Sequence, residues 1–247
     1  DLLDSPDSRL PYAAMIQLLE DAAARLDCPD FGLRLAVHQD IRILGPAAMI
    51  GLFSDTVGEC LKGIGTFFYA HATGGAVGLA GAGPTSCDVT FEILIPGLHA
   101  KRQINELSLS IGQALLEMII APGFRSERVQ FTHRQPPGLT PLKKRFGQHL
   151  EFDAPVNAIA IPREVLGRPV ATSNAVFRQV AVQYVHEHVS TVTNDRARHV
   201  ELLAHQLLPT GRCTLRAVSD ILALHPRSLQ RELQVLGTDF RSILDKV

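Results

Sequence analysis

Apolar residues recur at helical spacing through the first 70 residues of the chain. From Tyr12 to Leu26 they fall three or four positions apart, and the same spacing resumes after Pro29 and after Pro46. Proline suits the first turn of a helix, because the N–H that it lacks would have no partner there. The pattern predicts four helices in succession, with Ser54 as the N-cap of the fourth.

The spacing changes to short alternating stretches after Gly75. AVGLAGAG and SCDVTFEILI are rich in Val, Phe and Ile and predict a hairpin or meander of β-strands. From His99 to Ile120 the helical period returns, with one apolar stripe formed by Ile104, Leu107, Ile111, Leu115 and Met118. A long helix is therefore expected directly after the first two strands.

Short strands are predicted again after this helix. ERVQFTHR places Val129, Phe131 and His133 on one side, and HLEFDAPVNAIAI is typical of two further strands. PLKKRFG between them indicates a short basic helix or turn. Strands on both sides of one long helix predict an α+β fold, with a mostly antiparallel sheet backed by that helix.

Everything after RPVATSN, residues 168–174, has helical spacing. Proline and small polar residues are typical of a linker. The sequence predicts an effector-sensing domain over residues 1–172, a linker helix over 173–192 and an all-α region over 193–247. The chain begins at Asp1 and stops at Val247 inside a helical pattern, and we expect it to be part of a longer gene product.

The C-terminal stretch HPRSLQRELQVLG predicts an amphipathic helix of about three turns. At about 100° per residue, one side of this helix carries Leu229, Leu233 and Leu236. The opposite side carries Arg227, Gln230, Arg231 and Gln234. Pro226 suits the first helical position, and Gly237 suits the residue after the last one.

A second short helix is predicted upstream, with Thr214 as its N-cap and Leu215, Val218 and Leu222 facing inward. Ala223 to His225 would form a three-residue turn between the two helices. This arrangement is typical of a helix-turn-helix unit that binds DNA. Arginine can bind guanine and glutamine can bind adenine in the major groove, while Arg212, Arg216 and Arg241 could contact phosphates.

The charge balance gives only local support to DNA binding. The 247 residues are 46% hydrophobic and 20% charged, which allows a large core, and the formal net charge is −1. Residues 211–247 carry six Lys and Arg against four Asp and Glu, a surplus of two. The Arg and Gln side chains could equally solvate an exposed helix face, and this alternative stays open.

Other classes of protein find little support in the sequence. The four cysteines form no CxxC pair, which argues against a zinc site or a disulfide framework and suits a reducing cytoplasm. His186 and His188 are two positions apart, whereas two metal ligands on a helix prefer a spacing of four. HExxH, GxSxG and P-loop motifs are absent. We predict no enzyme activity, metal, cofactor, signal peptide or membrane span.

Polar residues inside apolar segments are the candidates for effector binding: Tyr69, His71, Glu106, His133 and Arg134. A carboxylate or fatty acid could pair with Arg134 or Arg42. A polyol would instead bind through Glu106 and His133, and acid sensing by histidine is a third alternative. The sequence does not choose among these effectors.

GRCTLRAVSDILALHPRSLQRELQVLGTDFRSIL resembles the first helix-turn-helix of the AraC/XylS transcription regulators. The matching positions are Ala217, Arg227, Leu229, Arg231, Leu233, Gly237 and Phe240. DCPDFGLRLA, LGPAAMIGLFSDTVGECLKGI and VQFTHRQP resemble the ligand-sensing domain of one subgroup of that family.

The resemblance implies a transcription regulator that binds double-stranded DNA and responds to a small-molecule effector. The helices after Asn174 could also form a homodimer, since paired DNA half-sites favour dimers. The family module has two helix-turn-helix units, whereas this sequence matches only the first. A single module buries about 600–1,000 Å² on DNA, so we expect weak binding by this stretch alone. The alternative hypothesis is a small-molecule-binding or pH-sensing protein whose C-terminal helices mediate dimerisation.

Overall fold

A computed structural model describes residues 10–72, 74–81, 83–95, 97–185, 213–221 and 225–247, and the single residues 197, 200, 201, 203, 204 and 208. The four predicted N-terminal helices are confirmed as α1 (Tyr12–Arg25), α2 (Phe31–Val37), α3 (Pro46–Leu52) and α4 (Val57–Phe67). None of the helices in these ranges is long and apolar enough to span a bilayer.

The predicted N-cap of α4 is wrong. The hydroxyl of Thr56, two residues further on, accepts the backbone N–H of Glu59 at 3.2 Å. Ser54 is fully buried and donates its hydroxyl to the carbonyl of Ile50 at 2.9 Å, at the end of α3. Both residue types can cap a helix, and burial against α3 decides between them.

Five strands form one sheet: β1 (Gly75–Gly81), β2 (Ser86–Ile93), β3 (Arg128–Gln130), β4 (Leu150–Glu151) and β5 (Asn157–Pro162). Their order across the sheet is β1-β2-β5-β3-β4, and only the β3–β4 pair is parallel. The mostly antiparallel sheet is confirmed. The predicted strand in ERVQFTHR is shorter than expected, because Phe131 and His133 lie beyond the end of β3.

The long helix α5 (Arg102–Ile119) is buried on two faces. Leu109 and Leu116 join the core that includes Phe91 and Ile159 of the sheet. Ile104 and Leu107 pack with Ile16 of α1 and Ala36 of α2. The helix therefore lies between the sheet and the first two helices, which makes the N-terminal domain an α+β structure.

The single stripe predicted for α5 is only partly right. Ile104, Leu107 and Leu115 are buried, whereas Met118 is 52% exposed. The apolar residues that replace it at the core, Leu109, Leu116 and Ile119, lie on the second buried face. A stripe drawn for one neighbour does not describe a helix that packs between two layers.

Helices α2 and α5 approach each other at Gly32. A Cβ atom at this position would lie 2.2 Å from the backbone carbonyl oxygen of Gln103. The Gly32 N–H donates to the Gln103 side-chain oxygen at 2.8 Å, and the amide nitrogen of Gln103 donates to the Pro29 carbonyl at 3.1 Å. The Gln103 backbone N–H donates to Glu20 of α1 at 2.8 Å, so one residue joins three helices.

A short helix, α6 (Thr140–Phe146), confirms the basic segment, and the 3-10 turn Arg163–Gly167 follows β5. Helix α7 (Ala175–Tyr184) begins at Asn174, whose side chain accepts two backbone N–H groups. Ala181 is buried against the N-terminal domain. Three large side chains of α7 are about half exposed: Phe177, Val180 and Tyr184.

The C-terminal residues form three short helices, α8 (Leu215–Ile221), α9 (Pro226–Val235) and α10 (Phe240–Leu244). They share a small core that contains Val218, Leu229, Leu233 and Ile243, together with Val200 and Leu203. Phe240 packs against this core from the start of α10.

Candidate functional site

Helix α9 has clear signals at both ends. Pro226 occupies its first position, and the His225 side chain accepts the backbone N–H of Arg227 at 3.2 Å. At the other end Gly237 has φ +73°, and the Gly237 N–H donates to the Gln234 carbonyl at 3.0 Å. The Thr238 N–H donates to the Leu233 carbonyl at 3.0 Å, which completes a Schellman motif.

The two faces of α9 differ sharply in exposure. Leu229 and Leu233 are fully buried, as their spacing predicts. Leu236 is 45% exposed, so its predicted inward position is wrong. This residue is the C-cap, where the backbone leaves the helix, and the step of about 100° per residue no longer holds there.

The polar face of α9 carries Arg227, Gln230, Arg231 and Gln234, all exposed. No ion pair within the described ranges engages Arg227 or Arg231. A guanidinium on such a face can donate two hydrogen bonds in one plane, as guanine accepts them, and a carboxamide can donate one and accept one, as the edge of adenine requires.

Helix α8 lies against α9. The Thr214 hydroxyl accepts the backbone N–H of Ala217 at 3.1 Å, as predicted for its N-cap. Val218 is fully buried, and Arg216 is exposed on the other side. Arg212, Leu222 and the predicted turn at 223–224 lie outside the described residues.

The N-terminal domain contains a cavity of about 550 Å³. It lies against α5, β1, β2 and the 3-10 turns Ile41–Leu44 and Phe68–Ala70. Twenty of its lining residues are apolar or glycine, and the described polar ones are Tyr12, Gln39, Tyr69, His71, Thr90 and Ser108. Small-ligand sites typically occupy about 300–1,000 Å³ with mostly apolar walls, so this cavity is the candidate effector site.

Only two of the five residues predicted to bind an effector lie in the cavity wall. Tyr69 and His71 line the cavity. Glu106, His133 and Arg134 are not among its lining residues, and Arg134 is exposed. Of the two arginines proposed to pair with a carboxylate, Arg42 also lies outside it, with a side chain that is 88% exposed and bound to Asp40.

Burial sets the protonation of the titratable groups in the cavity wall. Burial lowers the pKa of His71, although its contact with the Ile43 backbone opposes the shift. Burial also raises the pKa of the Tyr12 phenol. Both groups are thereby held in their uncharged forms near neutral pH.

Glu106 and His133 form a separate buried cluster with Arg102. The Glu106 carboxylate is fully buried, and one oxygen accepts from the Arg102 guanidinium at 2.7 Å. The same oxygen lies 3.4 Å from the His133 Nε2, while the second has no hydrogen-bond partner in the described part of the chain. Burial raises the pKa of Glu106, and the Arg102 contact opposes this only partly.

The raised pKa of Glu106 predicts a pH-dependent difference from the variant Glu106→Gln. The folded state binds this proton more tightly than the unfolded chain, whose carboxyl has its ordinary value of 4.5. The stability that the group contributes is therefore present at acidic pH and lost as the pH rises through the folded-state pKa. Urea unfolding from pH 4 to pH 8 should show the variant gaining stability over the wild type. A difference that stays flat or reverses would contradict the assignment.

The remaining polar groups of the cavity wall were missed by sequence reasoning. Gln39 lies in the short connection between α2 and the turn Ile41–Leu44, and its side-chain oxygen is buried with no partner among the described residues. Thr90 lies on β2, and Ser108 lies on α5. Nothing in the local pattern distinguishes these residues from surface polar residues, because the cavity forms only when distant segments pack together.

One wall of the cavity packs on its far side against the cluster that contains residues of helix α7. Tyr69 and Ala70 line the cavity, and they also pack against the cluster that contains Phe67, Ala181 and Val185. The rings of Phe67 and Tyr69 are 6.3 Å apart. The turn Phe68–Ala70 thus lies between the space for a ligand and the helix that leads toward the C-terminal region.

Metal binding finds no support among the residues that can be described. They include no group of three His, Cys, Asp or Glu placed to hold an ion, and all four cysteines are free. His186 and His188, whose spacing disfavours a metal pair, lie outside the described ranges.

Comparisons with known proteins point to one family of regulators. The family described as the N-terminal arabinose-binding domain of AraC transcription regulators matches residues 1–170. The regulator VirS of Mycobacterium tuberculosis is 30% identical over 243 residues, covering 97% of this chain and 71% of VirS. The ornithine utilization regulator of Pseudomonas aeruginosa is 25% identical over 266 residues, covering 100% of this chain and 73% of that regulator.

A solved structure supports the fold. The crystal structure of the transcriptional regulator CdpR from Pseudomonas aeruginosa matches with a TM-score of 0.54 and 19% identity, covering 87% of this chain and 70% of CdpR. The family and the curated relatives that match are transcription regulators, which points away from an enzymatic function. The chain belongs to the AraC family, as the resemblance of its sequence predicted.

Proposed function

We propose that the protein is a sequence-specific DNA-binding regulator controlled by a small molecule in its N-terminal domain. Residues 1–172 bind the effector, and residues 193–247 contact DNA. Residues 173–192 form the linker between these two parts. The observation that carries this proposal is the division of α9 into a buried leucine face and an exposed face of two arginines and two glutamines.

Helix α9 acts as the recognition helix. Arg227, Gln230 and Arg231 read base edges in the major groove, and Gln234 extends the same face by one turn. The small core under Leu229 and Leu233 fixes the helix, so that the polar face is presented without rearrangement. Arg212 and Arg216 contact phosphates, which position the unit without reading sequence.

The salt dependence of DNA binding tests this function. A duplex selected from a random-sequence library would be labelled, and its affinity for the protein measured by fluorescence anisotropy at several salt concentrations. Affinity should fall with a logarithmic slope of about 0.9 per phosphate neutralised. Salt-independent binding, or no binding combined with self-association that increases with protein concentration, would favour the alternative in which these helices mediate dimerisation.

The shared wall at Phe68–Ala70 supplies a route from effector to DNA. A ligand that favours one position of Tyr69 changes the surface on which Ala181 and Val185 rest. Since α7 leads toward the C-terminal region, its position determines how α9 is presented. An effector would control DNA binding if it bound more tightly to one arrangement of the contact between Tyr69 and α7 than to the other.

A further inference from the structure

The wall of the 550 Å³ cavity carries no Asp, Glu, Lys or Arg side chain in the described part of the chain. Two arginines elsewhere in the domain already have carboxylate partners: Arg102 pairs with Glu106, and Arg42 pairs with Asp40. A carboxylate in this cavity would therefore be buried without a counter-charge, which strongly disfavours its ionised form.

The few polar groups in the wall also argue against a sugar. A polyol has hydroxyl groups around its whole outline, and each would need a partner once it is removed from water. Twenty of the lining residues have no polar group in their side chains. Apolar contacts dominate instead, with Ile64, Phe68, Leu107 and Ile111 among the walls.

One polar group does call for a partner. The side-chain oxygen of Gln39 is shut off from solvent and accepts no hydrogen bond from the described residues. Gln39 and His71 belong to neighbouring parts of the wall, since His71 contacts the backbone of Ile43 four residues after Gln39. Because Gln39 lines the cavity, a rotation of its side chain would let a ligand that donates one hydrogen bond satisfy the orphaned acceptor.

We infer that the effector is an uncharged, mostly apolar molecule with a single hydroxyl or amide donor, which binds Gln39 at one end. The cavity is between three and four times the volume of an apolar cavity of about 150 Å³ that holds benzene, so it accommodates a long alcohol or a two-ring compound. This inference deepens the proposed function and rests on it, since it names the class of effector for the same site.

The probe for this site is 1,6-diphenylhexatriene, an uncharged hydrocarbon whose fluorescence increases in apolar surroundings. The protein should bind it with saturation. 1-Dodecanol should displace it, while dodecanoate below its micellar concentration should be at least tenfold weaker, and L-arabinose should have no effect. Equal displacement by dodecanoate, or displacement by arabinose, would overturn the ligand class.

Two variants locate the binding. Ile111→Trp fills the cavity and should abolish probe binding, whereas Met118→Trp, on the exposed side of the same helix, should not. Gln39→Leu should weaken dodecanol about fivefold, the value of one neutral hydrogen bond, and leave the hydrocarbon probe unaffected. Equal probe binding by Ile111→Trp and the wild type, or an unchanged dodecanol affinity in Gln39→Leu, would contradict the inference.

The outcomes also separate this inference from the proposed function. Salt-dependent DNA binding is measured without any effector. Absence of probe binding together with intact DNA binding would reject the apolar ligand and keep the regulator. Loss of DNA binding with intact probe binding would reject the regulator's DNA contacts and keep the ligand site.

Discussion

Replacing Arg227 or Arg231 by alanine is expected to weaken binding to the selected duplex by about 5- to 150-fold for each variant, since a bidentate contact to a base contributes about 1–3 kcal/mol. Both side chains are exposed, so the fold of the C-terminal helices should not change. The loss should be concentrated at one base pair, where the variant accepts other bases. Anisotropy titrations against the duplex and its single-base variants measure both effects.

Arg25→Ala is the matched control for these variants. Arg25 is also exposed and helical, but it lies at the end of α1 in the N-terminal domain. Its removal should leave DNA affinity unchanged. Wild-type affinity in both Arg227→Ala and Arg231→Ala would show that the polar face of α9 only contacts water, which is the alternative raised by the sequence.

The variant Gly32→Ala is expected to lower the free energy of unfolding by about 3 kcal/mol. The added methyl group would lie 2.2 Å from the Gln103 carbonyl oxygen, a backbone atom that the packing of α2 against α5 leaves little room to move. For a chain of this size the melting temperature should fall by about 6–12 °C. Thermal unfolding followed by circular dichroism measures the change.

Gly138→Ala controls for the general effect of replacing glycine. No atom lies within 4 Å of a Cβ at this position. This variant should match the wild type or gain up to about 1 kcal/mol, because alanine restricts the unfolded chain. A melting temperature for Gly32→Ala within about 3 °C of the control would show that α2 and α5 separate easily.

Local signals in the sequence were enough to predict several elements. The hairpin of β1 and β2, the long helix α5 and both ends of α9 depend on periodicity, proline and glycine within a few residues. Leu229 and Leu233 were predicted correctly because they lie inside the regular part of α9. The α+β fold of the N-terminal domain followed from the order of these elements.

Other features depend on contacts between distant segments and could not be predicted. Met118 turns outward because α5 packs on two layers, and Thr56 caps α4 because Ser54 is buried against α3. Of the residues predicted to bind an effector, Tyr69 and His71 line the cavity, whereas Glu106 pairs with Arg102 on its own helix. Nothing in the sequence around Gln39 indicates that this residue lines a cavity.

The turn Phe68–Ala70 contacts both the cavity and α7, and such a contact works in both directions. Linkage requires that if a bound effector changes DNA affinity by some factor, bound DNA changes effector affinity by the same factor. A promoter would then be an allosteric ligand of the cavity. Regulator molecules bound to DNA would therefore respond at a different effector concentration from molecules that are free of DNA.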